Sequence, residues 1–124
     1  MTAEIQDDGT IYTYQGDTIL FTSSGVPTDQ EYVVYFSVRE LNSDNDVIDQ
    51  VPCYVSDGVV TVHINPQITD LIPVPEGKKF KDYRYSLKAC SLTDGTEHTL
   101  QVGKNEVGVE TKLRVFRKQS EGIS

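Results

Sequence analysis

Apolar and polar residues alternate through most of this chain, most clearly from Tyr32 to Glu40. There Val34, Phe36 and Val38 fall on one side and Val33, Tyr35, Ser37 and Arg39 on the other. A period of two marks a strand with one face against a core. So apolar a face predicts a place at the centre of a sheet. Thr10 to Tyr14 and Thr18 to Ser23 read as two shorter strands separated by the turn composition Gln15-Gly16-Asp17. Residues 24–29 form a loop. After the central strand, Asn42-Ser43-Asp44-Asn45-Asp46 is a break and Val47 to Val55 returns; Pro52, which cannot donate to a ladder, argues for an edge position or a bulge. Asp57-Gly58 is a two-residue hairpin signal leading into Val59 to Ile64. Phe80 to Leu92, the turn Thr93-Asp94-Gly95-Thr96, Glu97 to Val102 and a last strand near Val107 to Lys118 complete the count.

Between Ile64 and Tyr83 the period changes. Ile68, Leu71 and Ile72 stand at i, i+3 and i+4, which predicts a two-turn helix over 65–72 with an apolar face. Asn65 is placed to cap it through its side-chain oxygen, Pro66 suits the first helical position, and Pro73 and Pro75 stop it. A strand, a short covering helix and a return strand that begins with Tyr83 and Tyr85 fit the crossover between the two sheets of an immunoglobulin-like sandwich. The expectation is therefore an all-β, immunoglobulin-like sandwich of about seven to eight antiparallel strands with one short helix near 65–72. Residues 1–9 are expected to be a flexible leader, 10–118 a single sandwich domain, and 119–124 a flexible tail.

Composition agrees with a β protein: seven Tyr and four Phe stand beside one Met and no Trp. The first nine residues have neither a basic start nor an apolar run, and no segment approaches the roughly 20 apolar residues that cross a bilayer as a helix. That reading places production in the cytoplasm, with no membrane partner and with Cys53 and Cys90 as reduced thiols. The net charge of −8 is unevenly spread. Residues 1–77 carry thirteen of the nineteen acids and, in Arg39, one of the eleven bases. The plainer explanation is neutralisation between neighbouring strands. The sharper one is a homo-oligomer in which the acidic part of one copy meets the basic part of the next. The basic half lacks the basic-aromatic strip of a nucleic-acid face, so no nucleic-acid partner is expected.

No catalytic pattern is present. His63 has outward parity on its strand and His98 follows a turn, so both read as surface residues with no nucleophile paired to them by a local motif. Cys53, His63, Cys90 and His98 supply a zinc inventory without any close ligand pair, and Cys53 shares an inward register that Cys90 does not. No zinc, no disulfide and no cofactor are expected. The acidic stretch Asp44-Asn45-Asp46-Val47-Ile48-Asp49 offers oxygens but lacks the glycine and distal glutamate of an EF-hand-type loop, and reads as a solvated hairpin tip. Tyr12, Tyr14, Tyr35 and Tyr54 could stack on sugars only if they share a face; otherwise they pack across strands. On the last strand, Lys112, Arg114, Phe116 and Lys118 alternate with Val109, Thr111, Leu113 and Val115. They read either as an edge strand protected by charge or as a docking face with Phe116 as its apolar anchor.

The order of several short motifs resembles a known pattern. Gln15-Gly16-Asp17-Thr18, Gly58 to Ile64 followed by Pro66-x-x-Thr69-x-Leu71, Tyr83-x-Tyr85-x-Leu87, Asp94-Gly95 and Thr99-Leu100-x-x-Gly103 together resemble tailed-phage tail and baseplate modules, closest to the N-terminal domain of the baseplate upper protein family, over roughly residues 14–109. The crossing from Ile72 to Asp82 is longer than that family's turn, and Lys104 to Gly108 stand as an insertion. The resemblance implies a non-enzymatic virion structural protein, a tail or baseplate adaptor whose partners are other phage structural proteins. The rival expectation is a small carbohydrate-binding or adhesive β-sandwich.

Overall fold

The computed structural model describes residues 2–41, 47–100 and 111–118. The acidic tip at 44–46, the insertion Lys104 to Gly108 with the rest of 101–110, and the tail 119–124 lie outside the described residues. In chain order the elements are β1 (Glu4–Ile5), β2 (Ile11–Tyr14), β3 (Ile19–Ser24), β4 (Tyr32–Glu40), β5 (Val47–Ser56), β6 (Val59–Ile64), α1 (Pro66–Thr69), β7 (Phe80–Ser91), β8 (Glu97–Leu100) and β9 (Thr111–Phe116). The protein is all-β, and its strands run in one path, β1-β2-β9-β7-β4-β5-β6-β3, with β8 added beside β7.

That path curls until it is nearly a closed barrel. Thr2 bridges Thr18 in parallel and the Ala3 N–H donates to the Thr18 carbonyl at 2.8 Å, so the first edge touches the last. The bend sits in β5, whose residues through Cys53 pair with β4 while Tyr54 to Ser56 pair with β6. Pro52 lies just before this change of partner, the place a residue without an N–H tolerates. Asp57 and Gly58 both have positive φ, 51° and 77°, the geometry of a tight hairpin turn.

Inside lie the apolar sides of the strands. Val34, Phe36 and Val38 of β4 and Tyr83, Tyr85 and Leu87 of β7 are buried. Each such side chain contributes roughly 1.5–3 kcal/mol on leaving water. The Tyr85 ring stacks on Phe36 with centroids 5.2 Å apart, and its hydroxyl donates to the Gly9 carbonyl at 2.5 Å. The Tyr83 hydroxyl donates to the Pro73 carbonyl. Two buried phenols are thus satisfied by backbone oxygens, as burial requires.

Three expectations are corrected. Residues 2–9 are tied down rather than loose. β1 pairs with β2, the Gln6–Thr10 turn is closed by the Gln6 N–H donating to the Thr10 carbonyl at 2.8 Å, and the Asp8 carboxylate accepts the Thr10 N–H at 2.9 Å. The strands are not all antiparallel: nine strands occur among the described residues, and β2 runs parallel to β9. These two come from opposite ends of the sequence, so no hairpin dictates their direction.

The helix is a single turn, with no side-chain cap from Asn65. Past Thr69 the chain tightens, the Leu71 N–H donating to Ile68 and the Ile72 N–H to Thr69. Three residues per turn brings i and i+3 to the same side. Thr69 and Ile72 are therefore buried while Leu71 is 77% exposed. Ile68 remains packed against the core. Thr69 fastens α1 to the Gln15–Asp17 turn: its hydroxyl donates to the Asp17 carbonyl at 2.6 Å and accepts the Gly16 N–H at 3.1 Å.

Candidate functional site

β9 is not an edge. It lies between β2 and β7, so its outward side chains sit in the middle of a three-strand face. Pairing aligns these side chains in rows. One row is Tyr14, Phe116 and Phe80; the next is Tyr12, Arg114 and Asp82; the third sets Lys112 beside Arg84. Beyond it Arg39 of β4 faces Arg84, extending the cations across a further strand.

Phe116 is the hub of the aromatic row. Its ring lies 5.2 Å from Tyr14, 5.7 Å from Phe80 and 6.4 Å from Tyr12. Tyr14 and Phe80 remain 42% and 41% exposed, so the row is open to solvent although it is packed within itself. The Arg114 guanidinium lies over the Phe80 ring at 4.1 Å and near Tyr12 at 5.8 Å. It also donates twice to Asp82, Nε to Oδ1 at 2.8 Å and Nη2 to Oδ2 at 3.2 Å. Those hydrogen bonds hold the Asp82 carboxyl below its ordinary range against the opposing effect of partial burial, and raise the Arg114 pKa. Lys112 reaches the same carboxylate only at 4.0 Å.

The face continues into a groove of about 510 Å³ lined by Pro75, Gly77, Lys78, Lys79, Phe80, Lys81 and Asp82. Lys81 pairs with Glu40 at 2.9 Å, whereas Lys78 and Lys79 are exposed and make no ion pair among the described residues. Arg117 shapes the groove from below, its guanidinium donating to the Val74, Pro75 and Lys78 carbonyls and its N–H to Lys79 at 2.9 Å.

Of the four residues singled out by sequence, the structure brings Lys112, Arg114 and Phe116 onto this face. Lys118 departs: its ammonium pairs with Asp70 at 2.9 Å and its N–H donates to the Gln15 side chain at 3.3 Å, tying the end of β9 to α1. Sequence reasoning missed Phe80 and Asp82 as members of the face. Sequence alone leaves Tyr12 and Tyr14 either to stack on sugars or to pack across strands; they pack across to Phe116, a partner nothing local signals because the β2–β9 pairing is remote in sequence. Tyr35 lies on β4, away from the aromatic row, and Tyr54 faces Thr61 of β6. The four tyrosines do not share one face.

His63 is exposed opposite Leu20, and His98 is exposed with its ring 5.6 Å from Tyr32. Neither histidine hydrogen-bonds a side chain among the described residues. Cys53 is partly packed against the core, Cys90 lies on the outer side of β7, and both are free thiols whose pKa values burial raises. The described residues contain no group of three or more His, Cys, Asp or Glu placed to hold a metal ion. No helix among the described residues is long and apolar enough to cross a membrane.

Compared with known proteins, the chain matches no family model, no curated protein and no solved structure.

Proposed function

We propose that this chain is a non-enzymatic structural module of a phage or prophage virion, a tail or baseplate adaptor that works by docking other structural proteins on the β2–β9–β7 face. The observation that carries this reading is the open row Tyr14, Phe116 and Phe80, flanked by Lys112 on one side and the Lys78–Lys81 groove on the other. Aromatic anchors ringed by charge are the composition of protein interfaces. The segments that carry the tail-module resemblance are framework: Gly16 and Asp17 are held by Thr69, and Tyr83, Tyr85 and Leu87 are buried in register.

The immunoglobulin-like reading belongs to the same proposal. It is supported by the shared strand β5 between a β2-β9-β7-β4 arrangement and β6-β3, by the helical crossover, and by Tyr83 donating back to that crossover. A glycan-binding reading draws on Tyr12 and Tyr14 alone, because Tyr35 and Tyr54 stand elsewhere.

The experiment is immunogold electron microscopy of tailed particles produced in cells that express this chain. The expected result is label at the tail or baseplate of intact particles. Unlabelled particles, with the chain recovered only in the soluble fraction, contradict the proposal. A glycan array with and without EDTA addresses the rival, for which sugar binding by the isolated chain is the supporting result.

A further inference from the structure

Strand directions give the molecule two opposite ends. Ser24, Ser56 and Ser91 close one end, and Tyr14, Phe80 and Phe116 close the other. At the first end three loops meet. The Val26 N–H donates to the Gly58 carbonyl at 3.1 Å, the Leu92 N–H to Glu31 at 2.9 Å, and the Gln30 amide to the Asp94 carboxylate at 3.3 Å. Asp29, Glu31, Asp57 and Asp94 lie on these loops, which carry no lysine or arginine from 24 to 31, 56 to 58 or 91 to 96. Among the described residues none of the four forms an ion pair. Between them runs a groove of about 370 Å³ whose lining includes Val26, Pro27, Glu31, Tyr32, Asp57 and Leu92. Leu92 is 65% exposed, an apolar side chain standing at the rim of an acidic surface.

The other end carries the complement. Lys78 and Lys79 flank the exposed Phe80 in a groove of their own, and they too make no ion pair among the described residues. Each end therefore presents an apolar side chain beside unpaired charges, acidic at one end and basic at the other. Two such surfaces on one chain attract each other between copies and orient the encounter.

We propose that the partner of the lysine groove is the acidic end of a second copy, Lys78 and Lys79 facing Glu31 and Asp57 while Phe80 and Leu92 are buried between them. This rests on the docking reading above and names the occupant of one part of that surface. Because the two surfaces differ, the contact is head-to-tail and generates a ring or a filament rather than a two-fold pair.

The test uses the full chain and two charge-reversal variants, K78E/K79E and E31K/D57K, in sedimentation velocity at low and high salt. All four positions are exposed on loops, but Asp57 holds a positive φ of 51° that lysine adopts less readily than aspartate. Circular dichroism therefore first establishes that E31K/D57K is folded, with E31K alone as the variant that leaves the turn untouched. The wild type is expected to form species heavier than the 13.9 kDa chain at low salt. The association constant should fall by about tenfold or more between roughly 0.02 M and 0.5 M salt. K78E/K79E alone is expected to be monomeric, since both its ends are then acidic. E31K/D57K alone is expected to lose most of its association, since its two introduced cations offset Asp29 and Asp94 and leave that end without net charge. An equimolar mixture of the two is expected to associate again. A wild type that stays monomeric at every salt, an association that both variants keep, or a mixture that stays monomeric each overturns the head-to-tail contact. None of these results touches the particle labelling, which decides the adaptor reading separately.

Discussion

Arg114 and Asp82 grip each other across β9 and β7 by two parallel hydrogen bonds of 2.8 and 3.2 Å, with the guanidinium laid over the Phe80 ring. The pair spans the centre of the proposed docking face, linking the outward side chains of two strands whose backbones are already paired. Its geometry is two-pronged and its side chains are 27% and 22% exposed, conditions under which a surface ion pair contributes measurably.

A double-mutant cycle with R114M and D82N is expected to give a coupling of about 0.5–1 kcal/mol in urea denaturation, smaller in high salt. The sign of the pH effect follows from the lowered Asp82 pKa. A carboxylate with a depressed folded pKa contributes stability that is present above its unfolded value of 3.8 and is lost as pH falls through the folded value. The wild type should therefore lose stability below pH 3.8 more steeply than D82N. Zero coupling, or parallel acid profiles, contradicts this role.

Thr69 offers a sharper contrast. T69V keeps the volume but leaves the Gly16 N–H without its acceptor and the Asp17 carbonyl without its donor. The cost is expected to be about 1–3 kcal/mol. L71A, two residues away but 77% exposed, should change stability by no more than about 0.5 kcal/mol. Equal effects from the two substitutions contradict the single-turn geometry of α1.

The buried phenols predict an alkaline limit. Desolvation, reinforced by the nearby Glu40 charge, pushes the Tyr83 pKa up to about 12, and burial together with Asp8 raises that of Tyr85. A raised folded pKa contributes stability that is complete below the unfolded value of 10.0 and is lost as pH climbs through the folded value. Ultraviolet titration should thus show Tyr83 and Tyr85 ionising only as the fold is lost, in step with circular dichroism. Y85F should also remove the hydrogen bond to Gly9, lowering stability at neutral pH by about 1 kcal/mol.

Much of the strand framework was legible because each strand's own pattern sets it. The β4 alternation and the Asp57-Gly58 turn are local features, and each stands where its residues put it, whereas Pro52 pairs in register with Tyr35 and the shift in that ladder falls between Val38 and Arg39. What escaped was non-local. Whether β9 is an edge depends on β2, about a hundred residues away, and the parallel pairing has no turn to announce it. Phe80 and Asp82 became part of the face only through that register. α1 departed from its apolar spacing because a tightened turn changed the period from 3.6 to three, bringing a threonine inside in place of a leucine. Lys118 kept the parity of its strand in sequence but was drawn to Asp70.

The central claim is that the Tyr14–Phe116–Phe80 row is covered by another protein in an assembled particle. Hydroxyl-radical footprinting, read by mass spectrometry on the free chain and on purified tailed particles containing it, measures that directly. The account predicts that oxidation of Tyr14, Phe80 and Phe116 falls severalfold in the particle, while exposed Tyr54, on the other part of the sheet, is oxidised equally in both. Equal oxidation of the aromatic row in the two samples contradicts it.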